Sequence, residues 1–342
     1  MTRRARMARR AATRPLRGAV AVLSVASLLI GVAAPADDDA SAYAVASSLA
    51  TTSLLLDATR AGSRIVAVGI HGHVLLSEDD GSTWRQAAAV PTRTTLTDVH
   101  FVDERAGWAV GHDAIVMATV DGGESWTLQH RDPAADGPLF SIWLDAAGRG
   151  LAVGAYGQAL STEDGGETWQ PARVAGPDED PHLNELFTGA GDTLYIAAEG
   201  GRVFRSADGG QSWEPRPSEY AGSFWGGITL SSGRLMVFGM RGHVFASDDD
   251  GQSWEALPKV SRSSLSAGAE LANGDVVVAG LAGAVLVSRD GGRSFVSMIR
   301  PERKGANAVL PLTSDRGILL FGEGGVRRLS ASELEERETA EP

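Results

Sequence analysis

The sequence predicts an all-β fold, a seven-bladed β-propeller with four-stranded antiparallel blades, and three observations predict it. The first is a turn motif that recurs six times: SEDDGSTW at 77–84, TVDGGESW at 119–126, TEDGGETW at 162–169, SADGGQSW at 206–213, SDDDGQSW at 247–254 and SRDGGRSF at 288–295. The second is an apolar segment upstream of each motif, as in IVAVGIHGHVLL, GWAVGHDAIVMA and LMVFGMRGHVFA. It also occurs a seventh time, as ILLFGEGGVRRL, before a motif decayed to SASEL. The third is the pattern inside one unit, where LTDVHF, GWAVG, IVMAT and SWTLQ read as four short strands separated by turn signals. A four-stranded unit of roughly 40–45 residues repeated four to eight times is the signature of propeller blades.

Each part of the unit has a physical reason. Asp79, Asp121, Asp164, Asp208, Asp249 and Asp290 can accept backbone N–H groups within the turn. The glycine two residues later supplies a positive φ without steric cost. Trp84, Trp126, Trp169, Trp213, Trp254 and Phe295 then bury a large aromatic surface against the blade. One such aspartate per blade, spread around a ring, is a structural device rather than a catalytic set. A second glycine stands five residues before the motif in six units (Gly72, Gly157, Gly201, Gly242, Gly283 and Gly325), with Ala114 in the other.

The ends of the chain are of different composition. Residues 1–17 carry seven arginines and no acid, and Gly18–Ala34 is an apolar run followed by Ala34-Pro35-Ala36. This order is that of a secretory signal peptide, so cleavage is expected after Ala36 and the protein is expected to be exported to the periplasm. An uncleaved anchor is the alternative. Losing seven of the 31 basic residues and none of the 43 acidic ones moves the formal charge from −12 to −19. The expected organisation is a signal peptide at 1–36, an N-terminal segment at 37–50 that closes the last blade with an outer strand, a propeller at 51–330, and an acidic solvated tail at 331–342.

Composition excludes several classes. With no Cys, the chain has no disulfide, thiolate metal site, cysteine nucleophile or cysteine-linked lipid. A net charge of −12 argues against a general nucleic-acid binder. His71-Gly72-His73 offers two potential metal ligands but no nearby carboxylate, and His243 repeats the register of His73 several blades away, so neither a metal nor a cofactor is expected.

The turn motif resembles the Asp-box, or BNR repeat, of sialidases, some glycoside hydrolases and sorting receptors. The fuller unit, LTDVHFVDERAGWAVG at 96–111 with VDGGESW at 120–126, is similar to the photosystem II stability/assembly factor family. That resemblance implies an exported seven-bladed propeller acting as a non-catalytic assembly module through an arginine-rich surface. Its partner would be a membrane-embedded or exported protein, with a photosystem-like complex or an RND-type exporter as candidates, and a monomeric state is expected. The alternative is an Asp-box glycoside hydrolase of sialidase or endoglucanase type. The four tyrosines (Tyr43, Tyr156, Tyr195 and Tyr220) and Arg64-Ile65-Val66 are poor substitutes for a sialidase site, although a carboxylate pair in the central cleft stays open.

In a propeller, the loops from fourth to first strand and from second to third strand share one face, opposite the acid-glycine turns. On that face the sequence places a basic sector of Arg241, Lys259, Arg262, Arg300, Arg303 and Lys304. It also places an acidic sector of Asp178, Glu179, Asp180, Glu199 and Glu219, with Tyr156, Tyr220, Phe224 and Trp225 as aromatic anchors. Charge would steer a partner and aromatics would hold it.

Overall fold

A computed structural model describes residues 42–313 and 316–336. The expected leader and its cleavage site lie outside the described residues, as do 337–342 of the tail.

Seven antiparallel sheets follow one another along the chain, six with four strands in sequential order and the last with three. The innermost strands are Leu55–Ala61, Leu96–Phe101, Leu139–Leu144, Leu183–Thr188, Phe224–Thr229, Leu265–Glu270 and Ala306–Pro311. The second strands, such as Gly107–Gly111 and Val276–Gly280, are buried along their whole length. Neighbouring blades cover both of their faces, which is why they read as unbroken apolar runs. Between successive blades lies an apolar cluster. One packs Leu55, Ile65 and Leu75 of the first blade against Ala308, Leu319 and Phe321 of the seventh, so the ring is closed.

Polar side chains stitch the ring from within. Each innermost strand bulges near its start, leaving backbone groups unpaired within the blade. At the second strand position, Thr97 donates to Leu139 O (2.7 Å), Asn184 to Phe224 O (2.7 Å), Ser266 to Ala306 O (2.5 Å) and Asn307 to Leu55 O (3.0 Å). At the third, Asp57 accepts the Val99 N–H (3.0 Å), Asp98 that of Ile142 (2.6 Å) and Ser141 that of Leu186 (3.1 Å). Every one of these bonds runs from a blade to the next. The seventh-to-first seam is held by the same device as the others.

The acid-glycine corners repeat a single network. Asp79 accepts the Ser77 hydroxyl (2.9 Å), the Thr83 N–H (2.8 Å) and the Thr83 hydroxyl (2.6 Å), while Ser77 Oγ accepts the Gly81 N–H (2.9 Å). The same bonds recur around Asp121, Asp164, Asp208, Asp249 and Asp290. Trp84, Trp126 and Trp213 close their corners by donating to the carbonyls of Gly81, Gly123 and Gly210.

Two expectations about the chain ends are corrected. Residues 42–50, the described part of the segment expected at 37–50, do not supply a fourth strand to the last blade, and residues 37–41 lie outside the described residues. Thr51 packs against Gly325, where other blades place the loop entering the next blade, but the preceding segment turns towards the first blade. There Ala44 N–H donates to Val90 O (2.9 Å), Ser47 N–H to Gln86 Oε1 (2.6 Å) and Arg93 Nε to Tyr43 O (2.7 Å). Ala44 also packs on the apolar cluster between blades one and two, burial that an outer strand would not give it. Nor is the start of the tail a solvated coil. Ala331–Glu336 is a helix opened by a capping box, with Glu333 N–H donating to Ser330 Oγ (3.3 Å) and Ser330 N–H to Glu333 Oε2 (2.9 Å). Its Leu334 is buried between blades six and seven, the place that a corner aromatic takes in the other blades.

Candidate partner-binding face and central channel

The turn from second to third strand holds two successive residues at positive φ. They are His71 and Gly72 in the first blade, Asp113 and Ala114 in the second, Tyr156 and Gly157 in the third, and Arg241 and Gly242 in the fifth. This is the type I′ geometry that suits a twisted hairpin. The second position lies against the loop leading to the next blade, where Gly72 meets Thr92 and Gly242 meets Ser261, so a side chain there would collide with backbone. The first position points its side chain off the face.

These turns and loops assemble the expected basic sector, with one exception. Arg241 N–H donates to the Ser264 hydroxyl (3.1 Å), which sets the fifth-blade turn against the loop that carries Lys259 and Arg262. His243 lies between them: burial lowers its pKa first, and the charges of Lys259 and Arg241 lower it further. Arg303, itself at positive φ, packs against Gly283 in the next turn. Arg241, Lys259, Arg262, Arg303 and Lys304 are exposed, and none has a carboxylate within ion-pair distance among the described residues. Elsewhere several arginines are paired, as in Arg64–Glu78 (2.7 Å), Arg85–Glu124 (2.6 Å), Arg149–Asp145 (2.7 Å) and Arg205–Asp250 (2.6 Å), while Arg93, Arg105 and Arg293 donate to the backbone carbonyls of Tyr43, Val120 and Asp290.

Arg300 leaves the set. It is only 4% exposed, with one guanidinium nitrogen on Glu302 (2.8 Å) and another on Lys304 O, and it braces the loop rather than facing a partner. The aromatic anchors divide similarly. Tyr156 is 57% exposed, tilted against His182 at 4.8 Å. Tyr220 donates its hydroxyl to Met240 O (3.0 Å) and packs on His243 and Phe224, Phe224 is fully buried, and Trp225 is half-buried at the strand bulge. The acidic sector is exposed as expected, and its Glu179 lies 3.6 Å from Arg202. Arg64, weighed as a sialidase-like arginine, instead holds Glu78 and the carbonyl of Gly122 (2.8 Å).

Inside the ring, Asp57, Asp98 and Glu185 line a cavity of about 130 Å3 together with Phe238 and Ile228. Burial, and then the charge of Asp98, raises the Asp57 pKa well above the usual carboxylate range. Burial, then Asp98 and Asp57, does the same to Glu185. Asp57 and Asp98 both accept the Val99 N–H (3.0 and 2.7 Å), so they sit side by side instead of flanking a gap that could hold a glycosidic bond. The cavity is also well below the roughly 300–1,000 Å3 of small-molecule sites. Sequence reasoning missed this cluster. Its signal was the third residue of the innermost strands, in LLD, LTD and LNE, visible once those strands are aligned. Among the described residues no group of three or more His, Asp or Glu is placed to hold a metal, and His71 and His73 meet edge to face at 5.7 Å.

The family model described as "Photosynthesis system II assembly factor YCF48" matches residues 85–142 and 138–266, more than half of the chain. The chain belongs to the YCF48 family. A photosystem II assembly protein Ycf48 from Thermosynechococcus vestitus is 40% identical over 58 residues, 16% of this chain and 16% of that protein. A photosystem II assembly lipoprotein Ycf48 from Prochlorococcus marinus is 33% identical over 150 residues, 44% of this chain and 43% of that protein. These matches therefore span less than half the length of either Ycf48 relative. A solved structure titled YCF48 bound to D1 peptide superposes with a TM-score of 0.68 at 24% identity, over 85% of this chain and 97% of that one. At that identity it establishes the propeller architecture. The YCF48 match ends at residue 266, so the family model covers Arg241, Lys259 and Arg262 but not Arg303 or Lys304.

Proposed function

We propose that this protein is an exported, non-catalytic Asp-box propeller that binds a segment of a membrane protein and assists the assembly of its complex. The observation that carries the reading is the set of five exposed, carboxylate-free cations on one face of a chain with a net charge of −12. An unpaired surface cation keeps its charge available to a partner and steers association over distances of about a Debye length. Family membership supports the same reading, and the YCF48 structure titled as bound to a D1 peptide makes a peptide segment of a photosystem protein the first candidate partner. The Prochlorococcus relative is named a lipoprotein, which fits work at a membrane surface. This chain, lacking Cys and with its leader expected to be cleaved after Ala36, would reach that surface through the partner itself.

The test is charge reversal. Arg241→Glu, Lys259→Glu and Arg262→Glu together should lower binding to membranes from the native host by at least tenfold and flatten its salt dependence. Binding that is unchanged, with the same salt dependence, removes the basic sector as the docking surface.

A further inference from the structure

Two blades place a histidine directly after the turn from second to third strand, His73 in the first and His243 in the fifth. His73 is 4% exposed and faces His71, ring to ring at 5.7 Å. His243 is half-buried on the docking face, and every element packed around it brings a charge or an aromatic ring. Its own turn carries Arg241, and the loop after the fifth blade's outer strand carries Lys259 and Arg262. The loop entering the blade brings Tyr220, whose ring lies 4.7 Å from that of His243 at an angle of 35°, with the exposed Glu219 beside it in sequence. Phe245, on the strand that follows, stacks at 6.4 Å. The Tyr220 hydroxyl is spent on Met240 O (3.0 Å), so that side chain offers His243 its ring.

An imidazole is the side chain that gains or loses a proton near neutral pH. On His243 a proton would be a third positive charge beside Arg241 and Lys259, neither of which has a carboxylate within ion-pair distance among the described residues. Burial and these two charges hold its pKa below the usual histidine value. A partner segment complementary to the basic sector carries negative charge. Seated on Arg241 and Lys259, its carboxylates would cancel the repulsion that keeps the imidazole neutral. The Tyr220 ring would then face an imidazolium, and an aromatic face attracts a cation.

We propose that His243 is a pH gate on the docking face: an anionic segment seated on Arg241 and Lys259 draws a proton onto His243, and docking tightens as the surroundings acidify. The linkage is reciprocal, since a partner that favours the protonated form is favoured by it in turn. Above the pKa of the bound form His243 is neutral in both states and pH has no effect through it. Between the bound and free values only the complex holds the proton, so affinity rises as pH falls; below the free value it levels off. The gate presupposes that the basic sector receives the partner, and adds how that contact responds to pH.

The test measures binding of the whole chain to membranes from the native host at about pH 7.5, 6.5 and 5.5 and constant ionic strength. The parent should bind about three- to tenfold more tightly at the lowest pH than at the highest, tenfold per pH unit being the ceiling for one proton. His243→Gln should keep its affinity at the highest pH throughout. His243→Arg, with a fixed charge that can stack on Tyr220, should bind at every pH as the parent does at the lowest. Thermal midpoints check that both variants fold. NMR titration of the parent's histidine rings gives a readout free of substitution. Millimolar acetyl-hexaglutamate amide should raise the His243 midpoint and leave that of His73 in place. Parent affinity that is flat or falls with acidification, a His243→Gln variant with the parent's pH profile, or a His243 midpoint unmoved by hexaglutamate overturns the gate. Membrane binding that survives charge reversal at Arg241, Lys259 and Arg262 removes the docking face itself. Loss of binding on charge reversal together with an unchanged pH profile in His243→Gln removes the gate alone.

Discussion

Asp79 shows what a single side chain does here. Hydrogen bonds from the Thr83 hydroxyl, the Thr83 N–H and the Ser77 hydroxyl hold its carboxylate ionised and depress its pKa to about 2. Asp164, Asp208 and Asp249 are held at about 2 by the same arrangement. A folded-state pKa below the unfolded value contributes stability above the unfolded pKa, and that contribution is lost as pH falls towards the folded one. Six corners acting together should make the protein acid-sensitive between about pH 4 and pH 2. The thermal midpoint should drop steeply across that interval, and Asp208→Asn should lower it at pH 7 while making the decline shallower. Ala114 makes the opposite kind of prediction. It holds a φ of 47° where the six other blades have glycine. An L-residue in the left-handed region costs about 1–2 kcal/mol, so Ala114→Gly should stabilise the protein by roughly 1 kcal/mol in urea unfolding, against the usual penalty for glycine.

The elements were legible where repetition exposed them. Six copies of the corner and seven of the apolar run placed strands such as Leu96–Phe101 and Gly107–Gly111 within a residue or two, because the same pattern was read several times over. Reading failed where a unit departed from its siblings. Ser330-Ala331-Ser332-Glu333 looked like a ruined corner, yet it is a capping box, a helix signal in a sequence otherwise built of strands. Arg300 and Arg303 stand three residues apart with identical chemistry. Only the three-dimensional loop shows that the first is buried on Glu302 and the second is exposed. The closing helix carries its own prediction. Leu334→Ala, which empties a buried position between blades six and seven, should cost about 2–4 kcal/mol in denaturant unfolding. An unchanged midpoint would mean that the helix does not seal that seam.

At the scale of the whole molecule, the ring is held by apolar seams outside and by blade-to-blade hydrogen bonds within, and its channel contains acids that are costly to ionise. For Asp57 and Glu185 the folded pKa lies above the unfolded one. Stability from them is therefore full below the unfolded pKa and lost as pH rises through the folded one. Glu185→Gln should raise the thermal midpoint at pH 8 by a few degrees and converge with the parent near pH 4. The outer surface divides into a corner face and a loop face, and the account assigns partner binding to the loop face. The absence of native Cys allows a direct test, because one introduced cysteine is a unique attachment point. A photo-cross-linker can be placed at Val260 or Leu281, exposed beside the cations, or at Val120, exposed in a corner on the opposite side. With native membranes, cross-linking to one discrete partner from Val260 and Leu281 and none from Val120 is the predicted result. Cross-linking from Val120 with none from the other two would contradict it.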